Sequence, residues 1–269
     1  MNINDREQAI LKYLMEKTFA SVNDLKQILH VSDATIRRDI SRLHSQGALL
    51  KVFGGVAPTE SSFNNRSAKR FSENKMRYVN EKTAIAKLAA SLCEEGDSII
   101  INGGSTTYMF ARELKDQNIR IYTNSMPVAA FLWEFSKCHF VVAGGVFHRN
   151  SGILYGQEHT CDNFYASKYF LGAQAFGPEG ILESNPLLKK ANSELMEKSD
   201  EIIVLCDSSK FELRARFVAC QIERISIVIT DNKIKNESRD MLEKQGVRVI
   251  LVDPKNTDSV SSNIEIPGK

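Results

Sequence analysis

The chain has 269 residues, 42% of them hydrophobic, which is enough for one ordinary domain plus a small one. A formal net charge of +2 excludes a protein that is basic throughout, so any nucleic-acid contact must come from a local patch. No run approaches the ~18 apolar residues of a membrane span. The polar start Met1-Asn2-Ile3-Asn4-Asp5-Arg6 is read as lacking a secretory signal, and the five scattered cysteines (93, 138, 161, 206, 220) are expected to stay reduced and mainly buried. The expected location is the cytoplasm.

Residues 5–17 place Ile10, Leu11, Leu14 and Met15 on one helix face. Ser21 followed by Asp24 reads as a capping box opening a second helix, with Val22, Leu25, Ile28 and Leu29 as its apolar side. Ser32 is placed to cap a third helix. On that helix Ile36, Ile40 and Leu43 fall within one narrow arc, and Ala34, Arg38, Ser41 and Ser45 lie opposite, flanked by Thr35, Arg42 and Arg37. Gly47 ends it. Leu49 to Phe53 reads as a strand, Gly54-Gly55 as a tight turn and Val56-Ala57 as a return strand. Three helices followed by a hairpin form a winged helix-turn-helix over residues 1–57.

A helix that reads DNA needs an apolar anchor, a slim outer face for a major groove about 12 Å wide, and donors for base edges and phosphates. Ile36, Ile40 and Leu43 supply the anchor, and Ser32, Ala34, Thr35 and Ser41 are slim. Arg37 and Arg38 sit in the first two turns, where such a helix meets bases, and Arg42 and Lys51 are assigned to phosphates. The partner is therefore double-stranded operator DNA. An Arg-Arg pair alone is more often a solvated face; the order of elements around it decides. Asp39 points to a flank of the helix and is expected to pair with a basic residue.

Residues 58–82 are rich in Ser, Asn, Lys and Arg and read as a basic linker, partly helical near its end. Residues 83–253 alternate apolar runs with amphipathic segments. The runs Ser98–Ile101, Ile119–Thr123, Phe140–Ala143, Tyr169–Gly172, Ile202–Leu205, Ile225–Thr230 and Val247–Val252 fit strands. Thr106–Leu114, Lys189–Lys198 and Lys235–Gln245 fit helices. The predicted class is α/β with a mostly parallel sheet. Residues 254–269 read as a polar tail.

Ligands of open α/β sheets bind outside the carboxyl ends of strands. Polar, Gly-rich loops gather there: Asn102-Gly103-Gly104-Ser105-Thr106-Thr107, then Asn124-Ser125, Gly145, Gly172, and Asp207 through Lys210. The first of these leads into a helix, whose N-terminus favours an anion. It lacks Gly-x-Gly-x-x-Gly, so no dinucleotide or other cofactor is expected. Lys210 suits a phosphate and Asp207 suits hydroxyls, pointing to a small polyhydroxylated anion, for which a phosphorylated sugar or sugar acid is the expected effector. The plainer alternative is that Asp207 and Lys210 pair with each other and cap a helix. His139, His148, His159 and Cys161 lack metal-site spacing, and no Gly-x-Ser-x-Gly elbow exists, so neither a metal nor a catalytic nucleophile is assigned.

The chain resembles the DeoR family of bacterial sugar-metabolism regulators. Ser32, Thr35, Ile36, Arg37, Arg38, Asp39 and Ile40 match its signature, and Arg6, Ile10 and Leu14 its upstream spacing. The resemblance implies an effector domain similar to ribose-phosphate isomerase and coenzyme A transferases. It places the family's Asp-x-Gly-Thr-Thr loop on Asn102, Gly104, Ser105 and Thr106, and its Asp-Ser-Ser-Lys loop on Asp207 to Lys210. Asn102 replaces the common Asp, and Leu188 and Asn192 stand near places usually held by Glu and Lys. The Asn-x-Gly-Ser-Thr form is similar to that of the ascorbate-utilisation branch. The expected function is a ligand-released repressor acting as a homo-oligomer, dimer or tetramer. The alternative is a sugar-phosphate isomerase-like enzyme with an appended DNA module, for which Asp207, Lys210 and Glu183 are the available groups.

Overall fold

The computed structural model describes residues 3–16, 20–46, 48–52, 54–58, 71–156 and 164–255. Gly47, Phe53, His159, Cys161, residues 59–70 of the expected linker and residues 256–269 of the expected tail lie outside them. The chain divides into two units, Met1–Lys69 and Arg70–Lys269.

In the first unit, α1 (Ile3–Glu16), α2 (Val22–Leu29) and α3 (Asp33–Ser45) enclose a core of Ile10, Leu14, Leu25, Leu29, Ile36, Ile40, Leu43, Leu49 and Val56. The capping box forms as read: Asp24 N donates to Ser21 Oγ at 3.1 Å and Ser21 N to the Asp24 carboxylate at 2.9 Å. The wing is β2 (Leu49–Val52) and β3 (Gly55–Pro58), turned at Gly54 with φ of 81°. Two details differ from the sequence reading. Ile28 is 45% exposed, because the stripe of Val22, Leu25 and Leu29 is narrow and Ile28 lies roughly 90° off its centre. A third strand, β1 (Ala20–Ser21), pairs antiparallel with β3 and is too short for any sequence pattern to mark.

The second unit is built on seven parallel strands in the order β15-β14-β12-β9-β4-β5-β6 among the described residues. They are β4 (Ser98–Ile101), β5 (Arg120–Thr123), β6 (His139–Val142), β9 (Ala166–Gly172), β12 (Ser199–Leu205), β14 (Ile227–Asp231) and β15 (Arg248–Val252). All seven predicted strands are present. Their near-continuous apolar runs reflect burial on both faces. Alternate side chains divide between two cores: Ile99, Ile101, Phe170, Ile203 and Leu205 face one, Ile100, Tyr169, Leu171, Ile202 and Val204 the other. The first core is covered by α5 (Val79–Ala90), α6 (Ser105–Glu113) and α7 (Met126–Phe135), the second by α8 (Pro186–Met196) and α9 (Asn236–Lys244).

From β4 the chain winds one way through β5 and β6. It then returns to β4's other side as β9 and winds away through β12, β14 and β15. The carboxyl ends of β4 and β9 are thus the point where the winding reverses, the place in such sheets where a crevice opens. Antiparallel additions overlooked in the sequence border this edge. They are the hairpin β7 (Val146–His148) and β8 (Ile153–Tyr155), and the ribbon β10 (Ala175–Gly177), β11 (Gly180–Glu183) and β13 (Phe217–Gln221).

The expected basic linker ends early. Residues Phe71–Lys75 form a short helix, α4, α5 begins at Val79, and Lys82 is 1% exposed. The run of cationic residues concealed a lysine whose stem is packed into the fold. No helix of the described residues is long and apolar enough to cross a membrane. The described cysteines, Cys93, Cys138, Cys206 and Cys220, are all free.

Phe170 in β9 is fully buried with its ring centroid 4.2 Å from that of Phe110 in α6. Phe170→Ala is expected to destabilise the second unit by about 3–5 kcal/mol, read as a lower urea midpoint.

Candidate nucleic-acid interface and effector site

Asp39 sets the posture of α3. It is 2% exposed, and its carboxylate receives Arg6 Nε at 2.8 Å, Arg6 Nη2 at 3.3 Å and Arg42 Nη2 at 3.0 Å. Arg42 also donates to Glu7. The expected basic partner of Asp39 is thus two arginines, and Asp39 is buried rather than flanking. Arg42 is engaged in clamping α3 to α1. The guanidinium of Arg6 is held charged by this bond, its pKa raised.

Outward, Arg37 and Arg38 are exposed and make no side-chain hydrogen bond or ion pair with another described residue. Ala34 is exposed beside them. Ser32 caps the helix through Thr35 N at 3.3 Å, and the Ser32 and Thr35 hydroxyls share a 2.9 Å hydrogen bond. Ser41 Oγ donates to Arg37 O at 2.7 Å and accepts from Lys51 Nζ at 2.9 Å, so the wing strand is tied to the helix. The face is therefore a slim helix with two exposed arginines at its N-terminal half and a lysine beside it.

At the sheet's carboxyl edge, Asn102 bridges the reversal point: its Oδ1 accepts from Gly172 N at 2.9 Å. Gly103 N donates to Asn124 Oδ1 at 3.1 Å, which joins the ends of β4 and β5. Thr107 Oγ1 donates to Asn102 O at 2.8 Å and closes the loop on itself. No side chain caps the N-terminus of α6, which opens at Gly104 and Ser105 with Thr106 buried behind. Ser125 is occupied as the cap of α7, accepting from Val128 N at 3.3 Å. Two glycines answer to packing. A Cβ on Gly103 would stand 2.2 Å from Ile153 Cγ1, and one on Gly145, whose φ is 125°, 2.4 Å from Tyr155 O. Both positions seat the β7–β8 hairpin.

Four buried polar atoms have no hydrogen-bond partner among the described residues: Thr230 Oγ1 near the end of β14, and three from side chains that carry a second polar atom, Asn124 Nδ2, Gln174 Nε2 and Asp207 Oδ2. In each of these three the other polar atom is committed. Asn124 Oδ1 takes Gly103 N, Gln174 Oε1 takes Ser184 N at 2.9 Å, and Asp207 Oδ1 takes Ser209 Oγ. These three free atoms are thereby fixed in orientation, two donors and one acceptor. Buried groups without a protein partner are ordinarily satisfied by water, an ion or a ligand. β5 to β12 is three strand spacings, about 14 Å, which accommodates a linear ligand of a few carbons with its end groups. Asp207 is the N-cap residue of the turn Ser208–Glu212, its main-chain oxygen accepting from Lys210 N at 3.0 Å while its side chain makes no cap bond. No cluster of metal-binding side chains occurs among the described residues.

Gln174 escaped the sequence reading; its only signal was its place two residues beyond Gly172 at a strand end. Glu183 lies beside it, accepting from Ser184 N at 2.8 Å and Asn185 N at 3.1 Å. His148 joins the hairpin to α8's cap, contacting Ser151 at 2.8 Å and Asn185 at 3.3 Å.

Residues 6–62 match the DeoR-like helix-turn-helix domain and residues 77–232 the DeoR C terminal sensor domain. The chain belongs to the DeoR family. The HTH-type transcriptional regulator UlaR of Shigella sonnei is 29% identical over 254 residues, 92% of this chain and 98% of its own. The putative aga operon transcriptional repressor of Escherichia coli O157:H7 is 32% identical over 254 residues, 93% and 94% of the two chains. Among solved structures, ribose 5 phosphate isomerase A from Neisseria gonorrhoeae aligns with a TM-score of 0.38 and 16% identity, over 51% of this chain and 54% of that one. The eIF-2B translation initiation factor of Pyrococcus horikoshii OT3 aligns with a TM-score of 0.37 and 18% identity, over 78% and 72%. DeoR-family regulators are non-enzymatic, so the isomerase alternative is set aside. This DeoR-family chain is a transcriptional regulator with a DNA-binding helix-turn-helix and a sensor domain for a small-molecule effector.

In the DeoR-family sensor, burial raises the Glu183 pKa above its ordinary value of 4.5, and bonds from Asn185 and Ser184 oppose the shift. The folded state therefore holds a proton that the unfolded chain has released, and stability falls as pH rises from 4.5 toward the folded value. Glu183→Gln keeps the accepting oxygen and removes the charge. It is expected to flatten this decline and to be at least as stable as the parent above it, measured by urea midpoints across pH.

Proposed function

We propose that this regulator represses genes for the use of a sugar or sugar acid, and that a phosphorylated sugar or sugar acid releases it from operator DNA in the cytoplasm. The observation that carries the reading is the preorganised set of unpaired polar atoms at the winding reversal, beside an uncapped helix N-terminus, in a chain with a DNA-reading unit. The α6 N-terminus with Asn102–Thr107 favours the anionic end, Lys210 adds charge, and Asn124, Gln174 and Asp207 bind oxygens and hydroxyls. Names of relatives, an aga operon repressor among them, support the sugar-operon reading.

Arg37 and Arg38 are the proposed base readers, with Ser32, Ala34, Thr35 and Ser41 making room and Lys51 serving phosphates, while Arg42, first assigned to phosphates, is committed to Asp39 and Glu7. On an operator selected from random duplexes by the purified chain, Arg37→Ala and Arg38→Ala are each expected to cost about 1–3 kcal/mol if they read bases. Lys51→Ala weakens all duplexes alike and lowers the salt slope. Unchanged affinity of the double arginine variant, with its circular dichroism intact, would sink the assignment.

Lys210→Ala and Gly104→Val are expected to leave operator affinity intact and to abolish its response to the effector. Persistence of the response at parental effector concentration moves the pocket elsewhere. A single reader contacts little DNA, so a dimer or tetramer is proposed. Trp133, 79% exposed, and Phe135, both on α7, are the candidate contact. Light scattering that reports a monomer at micromolar concentration, with and without operator, contradicts the oligomer.

A further inference from the structure

Asp231, the last residue of β14, is a fully buried carboxylate that no reading above employs. Its Oδ2 accepts from Ser208 N at 2.7 Å. Its Oδ1 accepts from Ser208 Oγ at 2.9 Å and from Lys233 N at 3.1 Å. Lys233, whose amide it takes, sends its ammonium elsewhere, to Glu81 at 2.6 Å. The Asp231 side chain is thus answered by N–H and O–H donors from two segments.

Three donors on two oxygens explain why a carboxylate stands here. Asparagine has one acceptor oxygen. Whichever way its amide turned, the NH2 group would face Ser208 N or Lys233 N, donor against donor. A buried acid is a costly group to keep for a turn alone. Its bonds concentrate on one residue, Ser208, which it holds by main chain and side chain together.

Ser208 opens the turn Ser208–Glu212, whose N-cap is Asp207 and whose third residue is Lys210. This is the β12 end of the effector site read above. Lys210 N returns to Asp207 O at 3.0 Å, so the turn is tight and a shift of Ser208 carries its neighbours with it. Ser209 Oγ donates to Asp207 Oδ1, so the direction of the unpaired Asp207 Oδ2 follows the turn as well. Two of the four buried polar atoms without a partner flank the bond. Asp207 Oδ2 belongs to the residue before Ser208, and Thr230 Oγ1 to the residue before Asp231.

We propose that Asp231 is a positioning residue of the effector site, holding Ser208 by its amide and its hydroxyl so that Asp207 and Lys210 are set in the geometry that meets the ligand. This rests on the effector-pocket reading above. Asp231 acts through the turn rather than on the ligand.

The test uses the full chain with ribose 5-phosphate, glucose 6-phosphate and 6-phosphogluconate as probes, their affinities measured by calorimetry. Asp231→Asn keeps the shape and loses one acceptor. It is expected to weaken a probe that binds the parent by at least about tenfold. Ser208→Ala keeps the main-chain bond and loses the hydroxyl, and is expected to weaken the same probe by about fivefold. Because both changes release the same turn, the double variant is expected to fall well short of the product of the two factors. An Asp231 that served stability alone gives factors that multiply. Parental affinity in either single variant, or full multiplication in the double variant, overturns the proposal. Should Asp231→Asn fail to fold, Ser208→Ala decides: weakened binding upholds the proposal and parental binding overturns it. If no probe binds the parent, the pocket reading falls and the positioning role with it, whereas parental affinity in Asp231→Asn removes the positioning role only.

Discussion

The sensor depends on one hydrogen bond, from Gly172 N to Asn102 Oδ1. It spans the two strands at whose ends the sheet changes winding direction. The main-chain ladder of the pair ends with Asn102 N donating to Phe170 O at 3.3 Å, and past it the two strands' connections leave in opposite directions. The Asn102 side chain closes the gap at its base and leaves the region above to polar groups from four neighbouring strand ends. A carboxylate at this position accepts the same N–H but offers no donor of its own. The amide of Asn102 thus keeps the tie and changes the charge beneath the anion loop by one unit.

The DNA-reading unit has a counterpart in Asp39. One buried carboxylate receives Arg6 from α1 and Arg42 from α3, and Arg42 reaches on to Glu7. A clamp of this kind fixes the rotation of α3 about its own axis. Apolar packing through Ile36, Ile40 and Leu43 is non-directional and would tolerate a modest roll; the forked guanidinium geometry does not. Arg37 and Arg38 are presented at a set angle because Asp39, between them and the core, is held at three points.

Much of this was legible in the sequence because the signals were local and periodic. The capping box at Ser21, the anchor stripe of α3 and all seven parallel strands follow from spacing alone. So do the strand-end loops, since Gly and hydroxyl residues after an apolar run are visible in one dimension. What stayed hidden has physical reasons. α7 is apolar on nearly every side, so it has no period to detect. β1 is two residues long. The β7–β8 hairpin and the β10–β11–β13 ribbon are short and lack the Asn-Gly or Asp-Gly turns that betray hairpins. Gln174 and Lys82 were missed for the opposite reason. Nothing in their immediate neighbours distinguishes them, and they stand out only through what the fold leaves unpaired or buried. Lys82 was further masked by the basic run that precedes it.

The central pair of the sheet joins residues far apart in the chain: Asn102 and Gly172 are 70 positions distant, and β9 must be in place before β4 is flanked on both sides. The reader, by contrast, is assembled from contacts within its first few dozen residues. Closing long loops is slow relative to local packing. On a ribosome the helix-turn-helix therefore emerges and settles while the sensor's middle strand still lacks a neighbour. For that interval the nascent regulator has a DNA-reading head and no completed sensor.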